Sequence, residues 1–145
     1  MKNTNLELIL HFVQLFEKIA VVNCTPISQF LIENKCAPAI LGLGEGLEHL
    51  KGFRTWSLKN PTYIEESFEM IFAEIDPSLC PIKQCEALQI LAKFDNEKPL
   101  MLLVPDTHKL SVKKAFSAFA LEPRTHALII DEIPFVLLSN WEVSL

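Results

Sequence analysis

The sequence predicts a single α/β domain, residues 1–145, built around one mixed sheet. Two continuous apolar runs, at 100–104 and 126–130, flank an amphipathic stretch at 111–121. Half of the 145 residues are hydrophobic and 21% are charged, which is enough to build a sizeable core. No internal repeat or linker divides the chain. An α+β arrangement remains open, because the N-terminal half has a mainly helical pattern.

The first helix is predicted over residues 5–21 and carries two apolar stripes. One stripe contains Leu6, Ile9, Leu10, Val13, Phe16 and Ala20. The other contains Leu8, Phe12, Leu15 and Ile19. A surface helix usually buries only one face. We therefore expect the second stripe to bind a protein partner or a second copy of the chain.

Proline and threonine mark the starts of the next helices, because both favour helix N-termini. Thr62 and Glu65 also have the spacing of a capping box. The predicted helices run over 26–35, from Pro38, over 62–75, and from Pro81 to about 94. A short strand is expected at 53–58 between them.

The last third of the chain has the pattern of a βαβ unit. The run at 100–104 ends at Pro105, as a strand buried on both faces would. With the helix at 111–121 and the strand at 126–130, it predicts a right-handed crossover. Residues 135–139 and 141–145 are expected to add further strands.

Composition limits the class of partner and the compartment. The formal net charge is −5 and the basic residues are scattered, so direct nucleic-acid binding is not expected. The N-terminus lacks a signal-peptide pattern, and no apolar run approaches the roughly 20 residues that a spanning helix needs. These features predict a soluble, cytoplasmic protein that binds no membrane and whose cysteines are thiols.

The segment SLCPIKQCEAL, residues 78–88, places Cys80 and Cys85 five positions apart. Zinc sites favour closer pairs, and Cys24 and Cys36 are too far apart to complete one. Redox pairs favour C-x-x-C. We therefore predict no metal and no cofactor, with Cys80 at a helix N-terminus and Cys85 as a small apolar residue on a helix face.

The segment GLGEG, residues 42–46, holds three of the four glycines. A phosphate-binding turn would need a strand before it and a helix after it. The preceding apolar run is short, so a steric role for Gly42 and Gly46 in close packing is favoured.

Polar residues follow two of the predicted strands. Parallel strands gather ligands at their carboxyl ends, so Asp106, His108, Asp131 and Glu132 would offer an alternative site for a divalent metal or for acid–base chemistry. The favoured interpretation is that Asp106 or Thr107 caps the following helix and that Asp131 and Glu132 form a turn.

Residues 47–61 contain a leucine-rich turn followed by a glycine, a tryptophan and a basic-x-proline end. The residues of this pattern are Leu47, Leu50, Gly52, Trp56, Ser57, Leu58, Lys59 and Pro61. The pattern resembles a segment of the DNA polymerase III psi subunit. The strand–helix–strand pattern at 100–130 is similar to the core of that family. The resemblance implies a non-enzymatic clamp-loader accessory in DNA replication, with Trp56, Leu58 and Pro61 contacting the partner. Without it, Trp56 and Leu58 share a strand face and are core residues.

The preferred hypothesis from the sequence is a cytoplasmic adaptor or accessory subunit rather than an enzyme. It rests on the doubly apolar first helix and on the lack of a catalytic motif. The alternative is a small enzyme or divalent-metal-binding domain that uses the turns at the strand ends.

Overall fold

The computed structural model describes residues 4–34, 39–50, 52–60, 64, 67–91, 99–117 and 124–139. Helices and strands are interspersed along the chain. The elements are α1 Thr4–Val13, β1 Lys18–Val22, α2 Thr25–Glu33, β2 Ala39–Leu43, β3 Phe53–Arg54, β4 Met70–Glu74, α3 Pro81–Leu91, β5 Leu100–Pro105, a 3₁₀ turn at Asp106–His108, α4 Lys109–Ser117, β6 Arg124–Ile130 and β7 Ile133–Ser139.

The described strands form one seven-stranded mixed sheet in the order β3-β2-β1-β4-β5-β7-β6. The first five strands of this order are parallel, and β7 runs antiparallel to both β5 and β6. The predicted class, α/β with a single mixed sheet, is confirmed. The predicted crossover from β5 through α4 to β6 also exists, but β7 lies between the two parallel strands.

Helices cover both faces of the sheet. On one face α1 and α2 pack on side chains such as Val21, Phe72 and Leu103. On the other face α3 and α4 pack on alternate residues of the same strands, such as Val22, Ala73 and Val104. Because β1, β4 and β5 are buried on both faces, nearly every residue in them is apolar.

The long first helix is wrong in its second half. The helix ends at Val13, and residues 18–22 form β1 instead. In β1, Ile19 and Val21 face one core cluster while Ala20 and Val22 face the other. A short helix followed by a strand buried on both faces has the same composition as one helix with two apolar stripes.

Three other predicted spans differ from the structure. Residues 39–43 and 70–74 are β2 and β4 rather than helix, and β3 is limited to Phe53–Arg54. The predicted helical N-terminal half thus contains four of the sheet's described strands. The α2, α3, β5, α4, β6 and β7 predictions are confirmed within a few residues, whereas the strand predicted at 141–145 lies outside the described residues.

Within the described residues, no helix is both long enough and apolar enough to cross a bilayer.

Candidate functional site

The sheet changes direction of winding at β1, because β2 lies on one side of it and β4 on the other. In open parallel sheets, ligands bind at such a switch point, beyond the carboxyl ends of the strands. A cavity of about 400 Å³ lies there. Its polar lining includes Asn23 after β1, Glu45 after β2, and Glu74 and Asp76 at the end of β4.

The short connection between β1 and α2 forms part of the cavity lining. Asn23 has a φ of 50°, a left-handed conformation that asparagine tolerates better than most residues. Its N–H donates to the carbonyl of Leu43 at 2.8 Å, which continues the pairing of β1 with β2. Its side-chain Oδ1 is buried and has no hydrogen-bond partner. An unpaired acceptor of this kind is costly unless a ligand or water donates to it.

Asn23 also depends on a glycine in the neighbouring strand end. A Cβ atom built on Gly44 would lie 2.8 Å from Oδ1 of Asn23 and 2.8 Å from Cδ1 of Leu47. The absence of a side chain at Gly44 therefore makes room for the asparagine amide. This is a steric reason for glycine in the GLGEG segment.

The two carboxylates on the β4 side have opposite electrostatic environments. Burial and, as the smaller cause, the nearby charge of Asp76 together raise the pKa of Glu74 to about 7. The hydroxyl of Ser78 donates to Oδ1 of Asp76 at 2.7 Å, and the Ser78 N–H donates to the same oxygen at 2.9 Å. These bonds hold the pKa of Asp76 below its usual value. Asp76 thus stays charged at neutral pH while Glu74 is poised to take up or release a proton.

Gln84 of α3 fixes the turn that carries Asp76. Its Nε2 donates to the carbonyls of Asp76 at 2.8 Å and Leu79 at 3.2 Å, and its Oε1 accepts from the Asp76 N–H at 2.9 Å. The side chain is only 1% exposed. The turn after β4 is therefore held rigidly against the start of α3.

Several solved structures superpose on this chain and share its architecture. PigF with bound S-adenosylhomocysteine (SAH) superposes with a TM-score of 0.62 at 8% identity, over 94% of this chain and 54% of PigF. The tRNA methyltransferase TrmK of B. subtilis gives a TM-score of 0.56 at 11% identity, over 96% of this chain and 65% of TrmK. Magnesium protoporphyrin IX methyltransferase ChlM of Synechocystis PCC 6803, with bound SAH, gives a TM-score of 0.56 at 11% identity, over 94% of this chain and 81% of ChlM.

The chain has the fold of the SAM-dependent methyltransferases. It spans less than two thirds of the length of PigF and of TrmK. The sequence itself matches no protein-family profile and no curated protein.

The methyltransferase fold corrects the functional hypothesis drawn from the sequence. The resemblance to the DNA polymerase III psi subunit is wrong, because the matching structures are of the methyltransferase type. The prediction of a non-enzymatic adaptor or accessory subunit in DNA replication is contradicted by the same comparison. The alternative of a small enzyme that uses the strand carboxyl ends fits these neighbours better.

The four residues of the predicted helical stripe do not form one surface. Phe12 and Ile19 are fully buried, on α1 and β1 respectively. Leu8 is half-buried against the core, and Leu15 is 63% exposed in the connection after α1. The predicted stripe is therefore not one exposed face, while the binding of a protein partner by this chain stays a prediction.

The other predicted partner residues lie in or near the core. Trp56 and Leu58 are 3% and 5% exposed, so the core interpretation of both is confirmed. Leu58 also lines the cavity. Pro61 lies outside the described residues.

The alternative polar residues lie at the same end of the sheet but away from the cavity. Asp106 and His108 form the 3₁₀ turn after β5, while Asp131 and Glu132 form the hairpin turn between β6 and β7. β7 pairs with β5 at Phe135 and Pro105, so the hairpin tip projects past the end of β5. Within the described residues, no group of three or more acidic, histidine or cysteine side chains could hold a metal ion.

The cysteines follow the structural interpretation where they are described. Cys85 is 2% exposed in the core, and burial raises its thiol pKa to about 12. Cys80 is exposed directly before α3, as predicted, and Cys36 lies outside the described residues. Gly42 is required for packing, since a Cβ there would lie 2.7 Å from the Phe53 ring. Gly46 instead has open space around it and a φ of 79°.

Sequence reasoning missed Asn23, Glu45, Glu74 and Asp76. Each of them closely follows an apolar run that is a strand in the structure. Had 18–22, 39–43 and 70–74 been recognised as parallel strands, the rule for strand carboxyl ends would have found this group.

Proposed function

We propose that this chain binds S-adenosylmethionine (SAM) in the cavity at the switch point and transfers its methyl group to an acceptor. The observation that carries the proposal is the acid-lined cavity of about 400 Å³ at the ends of β1, β2 and β4. The proposal is further supported by the methyltransferase fold, since two of the structural neighbours contain SAH.

The charge of the cavity suits this cofactor. SAM carries a positive sulfonium and ammonium and a negative carboxylate, so its net charge is +1. The cavity lining contains Glu45, Glu74 and Asp76 and, among the described lining residues, a single cation, Lys59. Complementary charge of this kind raises the local concentration of a cationic molecule.

Particular residues fit particular parts of the molecule. In related α/β nucleotide sites, an acidic residue about 20 positions after the first strand accepts hydrogen bonds from the ribose hydroxyls. Glu45, exposed at the end of β2, has this position relative to Asn23. The buried Oδ1 of Asn23 offers an acceptor for an N–H or O–H donor. When bound, SAM supplies an electrophilic methyl group on a positively charged sulfur.

The connection after β1 departs from the glycine-rich turn of related sites. Asn23 takes the left-handed conformation that glycine would otherwise supply, and Gly44 removes the side chain opposite it. Glu74 can accept a proton at neutral pH, because its pKa is about 7. The proton released by an acceptor O–H or N–H group during methylation therefore has a base within the same cavity.

Calorimetric titration with SAH tests the proposal. We expect the wild-type chain to bind SAH, and Glu45→Gln to weaken binding by about tenfold or more through the loss of charge-assisted hydrogen bonds. Glu33→Gln is the matched control, because Glu33 is exposed at the end of α2 and does not line the cavity. Failure of the folded wild-type chain to bind either SAH or SAM would contradict the proposal, and so would equal effects of the two substitutions.

A further inference from the structure

A second, smaller pocket adjoins the acid-lined cavity. Its volume is about 190 Å³, and it shares Leu58, Lys59 and Leu79 with the larger cavity. The rest of its described lining is Cys80, Lys83 and Gln84, from the start of α3. The two spaces therefore meet across the turn after β4 and the segment after β3.

The charges of the two spaces are opposite. The larger cavity has three carboxyl groups, of which that of Glu74 is partly protonated at neutral pH, and one ammonium group in its described lining. The smaller pocket has two ammonium groups, Lys59 and Lys83, and neither Asp nor Glu among its described lining residues. The positive end of the α3 dipole lies on the same side and adds to this potential.

The amide group of Gln84 is already hydrogen-bonded within the protein and does not determine which ligand the pocket binds. Both donors of its amide are bonded to backbone carbonyls, and its oxygen accepts from the Asp76 N–H. Recognition in the pocket therefore rests on Lys59 and Lys83, with Leu58 and Leu79 supplying apolar walls. Lys59 is also close enough to Asp76 to lower its pKa, so it connects the two spaces.

We propose that the smaller pocket binds the acceptor of the methyl group, and that this acceptor carries a carboxylate or phosphate on a small apolar body. The inference rests on the proposed function for its meaning, since an acceptor must lie beside the cofactor. The anionic group contacts Lys59 and Lys83, and the apolar body packs on Leu58 and Leu79. The 190 Å³ volume admits a group about the size of one substituted ring.

A nuclear magnetic resonance titration tests the pocket with defined probes. Benzoate and phenyl phosphate represent the two anions, and benzamide is the neutral counterpart of benzoate. We expect the anions to shift the backbone amide signals of residues 82–84, while benzamide shifts them at least about threefold less at equal concentration because it lacks charge-assisted contacts. Whichever anion binds more tightly identifies the headgroup.

Substitutions distinguish anion binding in this pocket from nonspecific binding to charged groups elsewhere on the surface. Lys83→Gln should weaken anion binding by about threefold to tenfold, the range for a charge-assisted contact that is partly exposed. Lys114→Gln is the matched control, because Lys114 is an exposed helical lysine on α4. Equal weakening by the two variants, or equal binding of benzoate and benzamide, would overturn the inference.

The wild-type titration with SAH keeps the two proposals apart. If SAH binds and neither anion shifts residues 82–84, the acceptor inference fails and the cofactor proposal stands. If the anions bind selectively and SAH does not, the pocket is an anion site but its role as an acceptor site is overturned together with the proposed function.

Discussion

At the scale of single residues, the surroundings of Glu74 disfavour the charged form of its carboxyl group. It ends β4 and is half-buried, and both desolvation and the charge of Asp76 raise its pKa from 4.5 to about 7. A carboxylic acid with a raised pKa in the folded state binds its proton more tightly there than in the unfolded chain. The protonated form therefore stabilises the fold, and this contribution is complete only below the unfolded pKa.

Because the protonated form of Glu74 stabilises the fold, the stability of the protein should depend on pH. Between pH 4.5 and pH 7 the free energy of unfolding should fall as pH rises, by about 2–3 kcal/mol from this group. Glu74→Gln should remove most of this fall, since glutamine does not ionise. Urea unfolding at pH 5 and pH 8 measures it, with Glu33→Gln as the exposed control. An unchanged pH dependence in Glu74→Gln would show that the carboxyl group is solvated.

At the scale of elements, the carboxyl ends of β1 and β2 are adapted to each other. Asn23 keeps β1 paired with β2 through its N–H and places its amide where a side chain on Gly44 would lie. The Asn23 side chain thus fills the space that the missing side chain of Gly44 leaves open. The effect of a substitution at either position on stability should therefore depend on which residue occupies the other.

A double-mutant cycle checks this dependence. Gly44→Ala should destabilise the fold by about 1–3 kcal/mol, because the added methyl group overpacks the contact with Asn23. Asn23→Gly should cost little, since glycine adopts a φ of 50° freely. Combined with Asn23→Gly, the alanine should cost at least about 0.5 kcal/mol less than it does alone. Chemical denaturation gives all four values, and strict additivity would mean that Leu47 alone resists the methyl group.

The elements also explain how far the sequence could predict the fold. The segments at 100–104 and 126–130 were recognisable because Pro105 and the flanking polar residues bound them clearly. β1 and β4 were missed because a strand buried on both faces loses its alternation, and each follows a segment with helical spacing. The cavity residues were missed for the same reason, because a residue can be placed at the carboxyl end of a strand only after that strand has been recognised.

At the scale of the whole molecule, stability depends on a sheet that is covered by helices on both faces. Residues of β4 such as Ile71 and Phe72 point to opposite clusters, and both are fully buried. At the edge of the sheet β6 has only one described strand neighbour, and Ile129 is 57% exposed. The same residue type therefore has different consequences at the centre and at the edge.

A matched pair of substitutions measures this difference. Ile71→Ala should reduce the free energy of unfolding by about 2–5 kcal/mol, because it leaves a cavity in a packed core. Ile129→Ala should change it by less than about 0.5 kcal/mol, as exposed substitutions usually do. Thermal and urea unfolding of both variants test the prediction. Similar losses in the two would mean that the hairpin edge is covered in solution.

The place of β7 between β5 and β6 has a consequence for the order in which the protein can be completed during synthesis. β6 leaves the ribosome before β7, yet β7 is the strand that joins it to β5. Until residues 133–139 emerge, the nascent chain holds β5 with one edge unpaired and apolar on both faces. Unpaired edges of this kind associate readily with other chains. The arrival of β7 therefore covers the open edge of β5 and removes one site for such association.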